Sequence, residues 1–188
     1  MDKQQTRISK FLSYVLRHRP DSIGVKLDSQ GWVAIDALLA AAASQGNCLT
    51  REELDFVVSN NSKQRFAISD DGTRIRASQG HSTEVDLGYQ PSAPPVLLYH
   101  GTATRNLSGI RTQGLLKGRR HHVHLSSDTV TATQVGARHG SPVVLVVRAG
   151  EMCSAGYEFF LSANGVWLTK HVPFTFIDFP PGNPHQGT

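Results

Sequence analysis

A proline- and glycine-rich stretch, residues 78–95, constrains the fold of this chain more than any other feature. It contains few large aliphatic side chains, and proline fixes φ and removes a backbone donor, so we expect regular secondary structure to stop there. A chain of 188 residues with 39% hydrophobic residues can form one medium domain or two small ones. The stretch favours two, over residues 1–78 and 96–188, joined by a linker over residues 79–95.

The first of these regions carries the patterns of three helices. Apolar residues between positions 8 and 16 recur at helical spacing, and this amphipathic helix should end at Pro20. A second helix is predicted from Val33 through a run of alanines, closing near Gly46. The sequence Thr50-Arg51-Glu52-Glu53 is a capping box, which predicts the start of a third helix.

A β-hairpin is predicted after the third helix. Residues 65–68 and 73–76 have strand patterns, and Ser69-Asp70-Asp71-Gly72 between them is a turn signature. Three helices followed by a hairpin is the order of a winged-helix module, although a fold alone does not define a function. Four cations lie on or beside the hairpin: Lys63, Arg65, Arg74 and Arg76. Such a cluster is typical either of a nucleic-acid contact or of a solvated basic face.

The second region has more strands. An apolar strand over residues 96–99 runs into His100-Gly101-Thr102, where the glycine would let a ligand approach the backbone, and a helix from Leu107 ends by Gly114. The remaining predicted elements are a strand within residues 119–126, a helix over 129–138, strands over 143–147 and 157–161, the segment 164–168 and a final strand over 174–179. Neither a G-x-G-x-x-G motif after a first strand nor a P-loop is present. The chain as a whole is therefore predicted to be α+β.

The stretch Arg119-Arg120-His121-His122-Val123-His124-Leu125-Ser126 concentrates cations and imidazoles. Side chains alternate along a strand, so His122, His124 and Ser126 would share one face. Three interpretations are open: a metal site, a solvated basic edge strand, or a pocket for an anionic ligand. The metal site is disfavoured because the chain has no cysteine pair and no H-E-x-x-H motif. The surrounding residues favour the anion pocket.

Composition limits the partners and the compartment. The formal net charge is +4 and the arginines and histidines are clustered, which suits phosphate-bearing partners. No apolar run is long enough to span a bilayer, and the N-terminus lacks the apolar core of a signal peptide. The two cysteines, Cys48 and Cys153, lie far apart without a disulfide framework. We expect a soluble, reduced, cytoplasmic protein that does not contact membranes.

Five segments occur in order along the chain: Leu16-Arg17-His18-Arg19-Pro20, Lys63-Gln64-Arg65-Phe66, Tyr99-His100-Gly101-Thr102, Arg120-His121-His122-Val123-His124-Leu125-Ser126 and Asn164-Gly165-Val166-Trp167-Leu168. Together they resemble the motifs of the RNA 2′-phosphotransferases, enzymes that remove an internal 2′-phosphate from RNA using NAD. The resemblance extends from about Ile8 to Phe179.

The resemblance implies a winged-helix lobe that binds RNA and an ADP-ribosyltransferase-like lobe that binds NAD, with the two substrates meeting in the cleft between the lobes. In the implied first step the 2′-phosphate attacks the ribose C1″ of NAD and expels nicotinamide. In the second, the ADP-ribose 2″-hydroxyl attacks phosphorus, giving 2′-hydroxyl RNA and ADP-ribose 1″,2″-cyclic phosphate. The RNA expected for the family is tRNA with a splice-junction 2′-phosphate, and no metal is expected.

The resemblance also implies a set of NAD-binding residues: His100, Gly101, Thr102, His124, Ser126, Arg138 and Val166. His100 would hold the nicotinamide riboside, and His124 would replace the tyrosine of many ADP-ribosyltransferases. Val166 would stand where protein-modifying relatives have a catalytic glutamate. A phosphate monoester is already an anionic nucleophile at neutral pH, so a carboxylate base is unnecessary and would repel it. Trp167 is predicted to be a core residue.

The catalytic residues implied by the resemblance are Arg17, His18, Arg65 and Arg120. Guanidinium groups match phosphate bidentately, whereas lysine would be only a point charge. The second step must stabilise charge on phosphoryl oxygens and protonate an alkoxide, so His18 is assigned as its acid or orienting donor. Arg120 is preferred to Arg119 because counting back from His124 aligns it with the family arginine.

Two other functions stay open. The same NAD site acting on a terminal phosphate would stop after the first step and cap the nucleic acid with ADP-ribose. A degenerate second lobe would leave a non-catalytic RNA-binding protein, although the intact motif histidines and arginines count against this. We expect a monomer, because the two lobes together look self-sufficient.

Overall fold

The structure, a computed structural model, describes residues 3–61, 63–83 and 85–180. It is α+β, with six α-helices and small antiparallel sheets in the described part of the chain. None of these helices is long and apolar enough to cross a bilayer. The chain divides into two compact units, residues 1–89 and 90–188.

The first unit contains three α-helices and a three-stranded sheet among its described residues. In chain order these are α1 Lys3–Arg17, β1 Val33–Ala34, α2 Ile35–Ser44, α3 Arg51–Ser59, β2 Phe66–Ile68 and β3 Arg74–Ala77. The predicted first helix is confirmed, and Pro20 starts a separate 3₁₀ turn after it. The predicted capping box is also confirmed, because Thr50 and Glu53 each accept a hydrogen bond from the other's backbone N–H.

The three strands lie in the order β1-β3-β2, and both pairs are antiparallel. The hairpin of β2 and β3 confirms the prediction, with Phe66 opposite Ala77. The predicted start of the second helix at Val33 was wrong. Val33 instead pairs with Ile75, because a β-branched residue gains more from strand pairing and burial there than from one more helical turn. The specific winged-helix arrangement stays a prediction.

The core of the first unit is formed by all three helices and the inward face of the sheet. Its fully buried large side chains are Leu12, Leu16, Ile35, Leu38, Leu54 and Ile75. The apolar stripe predicted for α1 faces this core, because Leu12, Val15 and Leu16 are buried and Ile8 and Phe11 pack against it partly buried. Burying an aliphatic side chain of this size stabilises the fold by about 1.5–3 kcal/mol.

The second unit contains three α-helices and eight short strands among its described residues. In chain order these are β4 Leu98–Ala103, α4 Leu107–Gln113, β5 Leu115–Leu116, β6 Val123–Leu125, α5 Thr129–Gly136, β7 Pro142–Val147, α6 Ala149–Ser154, β8 Phe160–Leu161, β9 Trp167–Thr169, β10 His171–Val172 and β11 Ile177–Asp178. Three antiparallel sheets result, with strand orders β11-β7-β4, β6-β9-β8 and β10-β5. The ADP-ribosyltransferase-like character of this unit stays a prediction.

Several predicted strands in this unit are shorter than expected. Val96 and Leu97 precede β4 and are exposed, residues 119–122 form a turn and a bend, and residues 174–176 form a 3₁₀ turn. The predicted strand over 157–161 is reduced to β8. Apolar content indicated the strands over 96–99, 157–161 and 174–179, and alternation in the histidine-rich stretch indicated the strand within 119–126. A strand also needs a partner for its backbone groups. Helix α6 was not predicted.

The second core lies among β4, β6, β7, β9 and α6. Its fully buried large side chains are Leu98, Leu125, Leu145, Met152 and Phe159. Trp167 is 7% exposed and belongs to this core, which confirms its prediction as a packing residue. The strand segments that carry the histidines are therefore anchored on their inward side.

Candidate active site

Two strands of the second unit bring His100 and His124 together. His100 lies in the middle of β4, and His124 lies at the centre of β6 between two buried residues, Val123 and Leu125. The strands are joined by a β-bridge in which Tyr99 and Ser126 exchange backbone hydrogen bonds of 2.9 and 2.8 Å. The alternation predicted for the histidine-rich stretch is confirmed over β6, since its hydrophobic residues point inward.

A chain of hydrogen bonds links three predicted site residues. His100 Nδ1 lies 3.0 Å from the carbonyl oxygen of His124, and an Arg120 guanidinium nitrogen lies 3.0 Å from His124 Nδ1. A carbonyl only accepts and a guanidinium only donates. Nδ1 of His100 therefore carries the proton and Nδ1 of His124 does not. In neutral rings this leaves His100 Nε2 as an acceptor and His124 Nε2 as a donor.

The electrostatics favour the neutral form of His100. Burial lowers its pKa, and the positive charges of Arg120 and His139 lower it further, against the opposing effect of the hydrogen bond to His124. Its acceptor nitrogen is thus available at neutral pH. Burial also lowers the pKa of Arg120, although the residue as a whole is exposed. An arginine nevertheless stays protonated.

Gly101 and Thr102 have packing roles in the structure. A Cβ on Gly101 would lie 1.7 Å from the carbonyl oxygen of Ala132, so only glycine lets α5 approach β4 this closely. Thr102 is buried, and its hydroxyl accepts a hydrogen bond from Asn106. The close contact of Gly101 is therefore with the protein's own helix. Ligand contacts of both residues stay predictions.

The other predicted NAD-binding residues lie at the ends of neighbouring elements. Ser126 and Val166 each come one residue beyond the last pair of the β6–β9 ladder, Leu125 with Trp167. Val166 is held by hydrogen bonds in both directions with Ser162 and is partly exposed. Arg138 is exposed in the 3₁₀ turn after α5.

In the first unit, Arg17 and Arg65 are in direct contact. A guanidinium nitrogen of Arg17, at the end of α1, donates to the carbonyl oxygen of Arg65 at 3.3 Å. The Arg65 guanidinium in turn donates to the side-chain oxygen of Asn61, a buried residue just after α3, at 3.0 Å. The two arginines predicted to bind phosphate are therefore positioned by one network within this unit.

His18 is held by a residue far along the chain. Its Nδ1 lies 3.0 Å from the Ser82 hydroxyl, and the Ser82 backbone N–H donates to the Arg17 carbonyl at 2.8 Å. These contacts orient the imidazole next to Arg17. Sequence analysis did not identify Asn61 or Ser82, because a single Asn or Ser in a loop carries no spacing signal that would connect it with a residue so distant in sequence.

Within residues 3–61, 63–83 and 85–180, no cluster of three or more His, Cys, Asp or Glu side chains could hold a metal ion. Of the three interpretations of the histidine-rich stretch, the pocket for an anionic ligand stays the prediction, and Arg120 and His124 are joined there by a hydrogen bond.

Comparison with known proteins places the chain in one class of enzyme. Residues 3–171 match the family model described as RNA 2′-phosphotransferase, Tpt1/KptA family. A probable RNA 2′-phosphotransferase of Pseudomonas aeruginosa strain UCBPP-PA14 is 58% identical, covering 90% of this chain and 93% of that protein. Proteins with the same description from Streptomyces coelicolor and Burkholderia pseudomallei are 56% and 55% identical. They cover 96% and 93% of this chain, and 98% and 95% of their own lengths.

These relatives are transferases by name. The chain belongs to the RNA 2′-phosphotransferase family, whose members act on RNA, and this confirms the resemblance seen in the five motifs.

Proposed function

We propose that this protein removes an internal 2′-phosphate from RNA, such as a tRNA splice junction, by transferring it to the ADP-ribose part of NAD. The proposed products are 2′-hydroxyl RNA, nicotinamide and ADP-ribose 1″,2″-cyclic phosphate. The observation that carries the proposal is the hydrogen-bond chain Arg120–His124–His100, which sets a cation, a donor and an acceptor side by side. These are the groups that a ribose and a phosphate require.

The hydrogen-bonding groups of His100 and His124 suit the ribose of NAD. His100 Nε2, fixed as an acceptor, can receive a hydrogen bond from a ribose hydroxyl, and His124 Nε2–H can donate to a hydroxyl or phosphate oxygen. NAD supplies an electrophilic ribose carbon with nicotinamide as a good leaving group. The residues then have only to bind and orient the reactants, for which proximity alone contributes several kcal/mol.

The RNA phosphate is assigned to Arg17, His18, Arg65 and Arg120. The Arg17–Arg65–Asn61 network holds two guanidiniums in place, which reduces the reorganisation needed when charge develops on phosphoryl oxygens. His18 has Nδ1 engaged with Ser82, so in this proposal its other ring nitrogen donates to the departing 2′-oxygen.

Replacing His100 with asparagine or glutamine tests the assigned tautomer. Asparagine can keep the donor to the His124 carbonyl but has no group at the Nε2 position, whereas glutamine can place its amide there. We expect KM for NAD to rise about tenfold in His100→Asn, the cost of a lost hydrogen bond, and less in His100→Gln. Equal KM values in both variants and the wild type would contradict the assignment.

The same assignment predicts a pH effect on NAD use. The lowered pKa keeps His100 neutral at neutral pH, so KM for NAD should rise only as the pH falls below the ordinary histidine value of 6.5, when Nε2 becomes protonated. KM for NAD that is flat through this acidic range, at constant protein stability, would contradict a role for the acceptor nitrogen.

Replacing Val166 with glutamate tests why this position is aliphatic. A carboxylate there would repel the dianionic phosphate nucleophile, and we expect kcat to fall by roughly tenfold or more. Val166→Gln, with the same shape but no charge, is the matched control and should lose much less. If both variants lose the same activity, volume rather than charge governs this position.

The central experiment is incubation of the protein with NAD and a 2′-phosphorylated oligoribonucleotide. Release of ADP-ribose cyclic phosphate supports the proposal, a stable ADP-ribosylated RNA indicates the capping reaction instead, and no turnover indicates a binding protein. The assay should be repeated in EDTA, because no step in the proposal uses a metal. Loss of turnover in EDTA that a divalent ion restores would contradict that part.

A further inference from the structure

The outward face of the sheet in the first unit carries an aromatic and cationic surface that the proposed reaction does not use. Trp32 is half-buried, and the guanidinium carbons of Arg76 and Arg74 lie 4.4 and 5.5 Å from the centroid of its ring. Both distances are within the range of cation–π contacts. We name Trp32, Arg74 and Arg76 the wing platform.

The strand register explains how the wing platform forms. Along β3, Ile75 and Ala77 are buried, so Arg74 and Arg76 both point to the opposite, outward face. Val33 pairs with Ile75, and one further step along the two strands sets Trp32 across from Arg76. Cross-strand neighbours on one face are close enough for their side chains to touch.

Asp28 fixes the loop that presents Trp32. One carboxylate oxygen accepts hydrogen bonds of 2.9 Å from the backbone N–H groups of Gln30 and Trp32, and the other lies 3.7 Å from Arg74. This aspartate partly neutralises Arg74. Among the residues that the structure describes, no carboxylate lies within ion-pair distance of Arg76. The wing platform is therefore held in place and keeps a positive charge.

The wing platform adjoins the phosphate-binding candidates of the same unit. The Ser78 N–H donates a hydrogen bond of 2.9 Å to the Arg65 carbonyl, and this bond continues the β2–β3 ladder by one residue pair. Arg65 is therefore a diagonal neighbour of Arg76 on the outward face of the sheet. The Tyr89 hydroxyl donates a hydrogen bond to the Ser78 carbonyl and interacts electrostatically with both Arg76 and Arg17. The platform and Arg65 therefore occupy neighbouring positions on the same face of the sheet.

We propose that the wing platform binds the RNA strand next to the 2′-phosphate, with a base stacked on the layer formed by Trp32 and the guanidiniums and with neighbouring phosphates contacted by Arg74 and Arg76. Flat π-systems combined with cations are how proteins bind single-stranded RNA without reading its sequence. The inference rests on the proposed function and extends it, because it gives the enzyme a preference for substrates longer than the reacting nucleotides.

The first test measures RNA binding without turnover. The full-length protein is titrated, in the absence of NAD, against a fluorescently labelled oligoribonucleotide that has no 2′-phosphate, and binding is followed by anisotropy. We expect Kd to rise roughly tenfold in Trp32→Ala and Arg76→Gln, the usual size of a lost stacking contact, and much less in Trp32→Phe. The slope of log K against log salt should fall in magnitude by about 0.7 for each arginine removed.

Arg111→Ala is the matched control. Its guanidinium also lies over an aromatic ring, that of Phe179 at 4.2 Å, but it belongs to the second unit, so its removal deletes one charge and one cation–π contact that are not part of the platform. RNA affinity should be lowered far less in this variant. Equal losses in Arg111→Ala and Arg76→Gln would mean that only net charge matters, and would overturn the proposal.

The second test separates this inference from the proposed reaction. The ratio of kcat/KM for a longer 2′-phosphorylated oligonucleotide to that for a 2′-phosphorylated dinucleotide should fall several-fold in Trp32→Ala. An unchanged ratio together with unchanged affinity for the unphosphorylated strand would overturn the wing platform and leave the reaction standing. Platform-dependent RNA binding in a protein that transfers no 2′-phosphate would overturn the reaction and leave the platform standing.

Discussion

The Arg65→Ala variant is expected to accumulate RNA that carries ADP-ribose on its 2′-phosphate, rather than simply to turn over more slowly. In the proposed first step, expelling nicotinamide creates positive character on the ribose, which the attacking phosphate itself helps to stabilise. The second step must instead stabilise additional negative charge on phosphoryl oxygens. Losing one preorganised donor to such charge costs about a hundred- to a thousandfold in rate. The second step should therefore become much slower than the first.

Single-turnover reactions with 2′-phosphorylated RNA and radiolabelled NAD would reveal the adduct on a gel. His18→Ala should show the same accumulation, because the departing oxygen then lacks its donor. Asn61→Ala, which removes the acceptor of both the Arg65 guanidinium and the Lys63 backbone N–H, should give a smaller accumulation of the same species. Arg65→Lys retains the charge without the fork geometry and should fall between alanine and wild type.

One result would contradict the assignment of Arg65 and His18 to the second step. If Arg65→Ala and His18→Ala both still bind RNA and NAD but neither shows the adduct, these residues do not act mainly in the second step. A loss of RNA binding in both variants would assign them to substrate binding instead. The gel shows whether the adduct accumulates, and a separate binding measurement shows whether the variants still bind RNA and NAD.

The secondary structure was predicted correctly from the sequence where a local pattern determines it. The helical spacing of α1 and the Thr50 capping box each lie within a few residues, and the apolar run of β7 is a local pattern typical of a strand. The alternation in β6 likewise follows from a strand with one buried face. The motif histidines and arginines were assigned because five ordered motifs resemble those of a known family, which required no knowledge of the tertiary structure, and their roles stay predictions.

Prediction from the sequence failed where residues distant in the chain determine the local structure. Val33 is in a strand because Ile75 pairs with it, and His18 is oriented by Ser82. Residues 96–97 have strand composition but remain outside β4. Nothing in the local sequence reports such partners. The tautomers of the two site histidines also could not be predicted, since they depend on a backbone carbonyl and a guanidinium that tertiary folding supplies.

Gly101 was identified in the sequence for one reason, whereas the fold requires it for another. In the sequence it suggested close approach of a ligand, whereas in the structure its missing Cβ leaves room for α5. A Cβ would lie 1.7 Å from the Ala132 oxygen, 2.6 Å from its carbonyl carbon and 2.8 Å from the Gly136 nitrogen. All three are backbone atoms of a helix, so no side-chain rotation can relieve the clash.

We therefore expect Gly101→Ala to destabilise the protein strongly, by more than the roughly 1–3 kcal/mol typical of overpacked cores. Thermal unfolding followed by circular dichroism would measure this, since each kcal/mol lowers Tm by about 4–8 °C for a domain of 60–100 residues. Gly109→Ala is the matched control. Gly109 lies within α4 with open space around its Cβ position, so the same substitution should be neutral or stabilising by up to about 1 kcal/mol.

The two glycine variants together separate packing from ligand contact at the H-G-T motif. If packing governs Gly101, Gly101→Ala lowers Tm and its loss of NAD use follows the loss of folded protein. If ligand approach governs it, the variant keeps the Tm of the wild type while KM for NAD rises. The second result would require α5 to shift away from β4 without a measurable cost, which three backbone contacts below 3 Å make implausible on steric grounds.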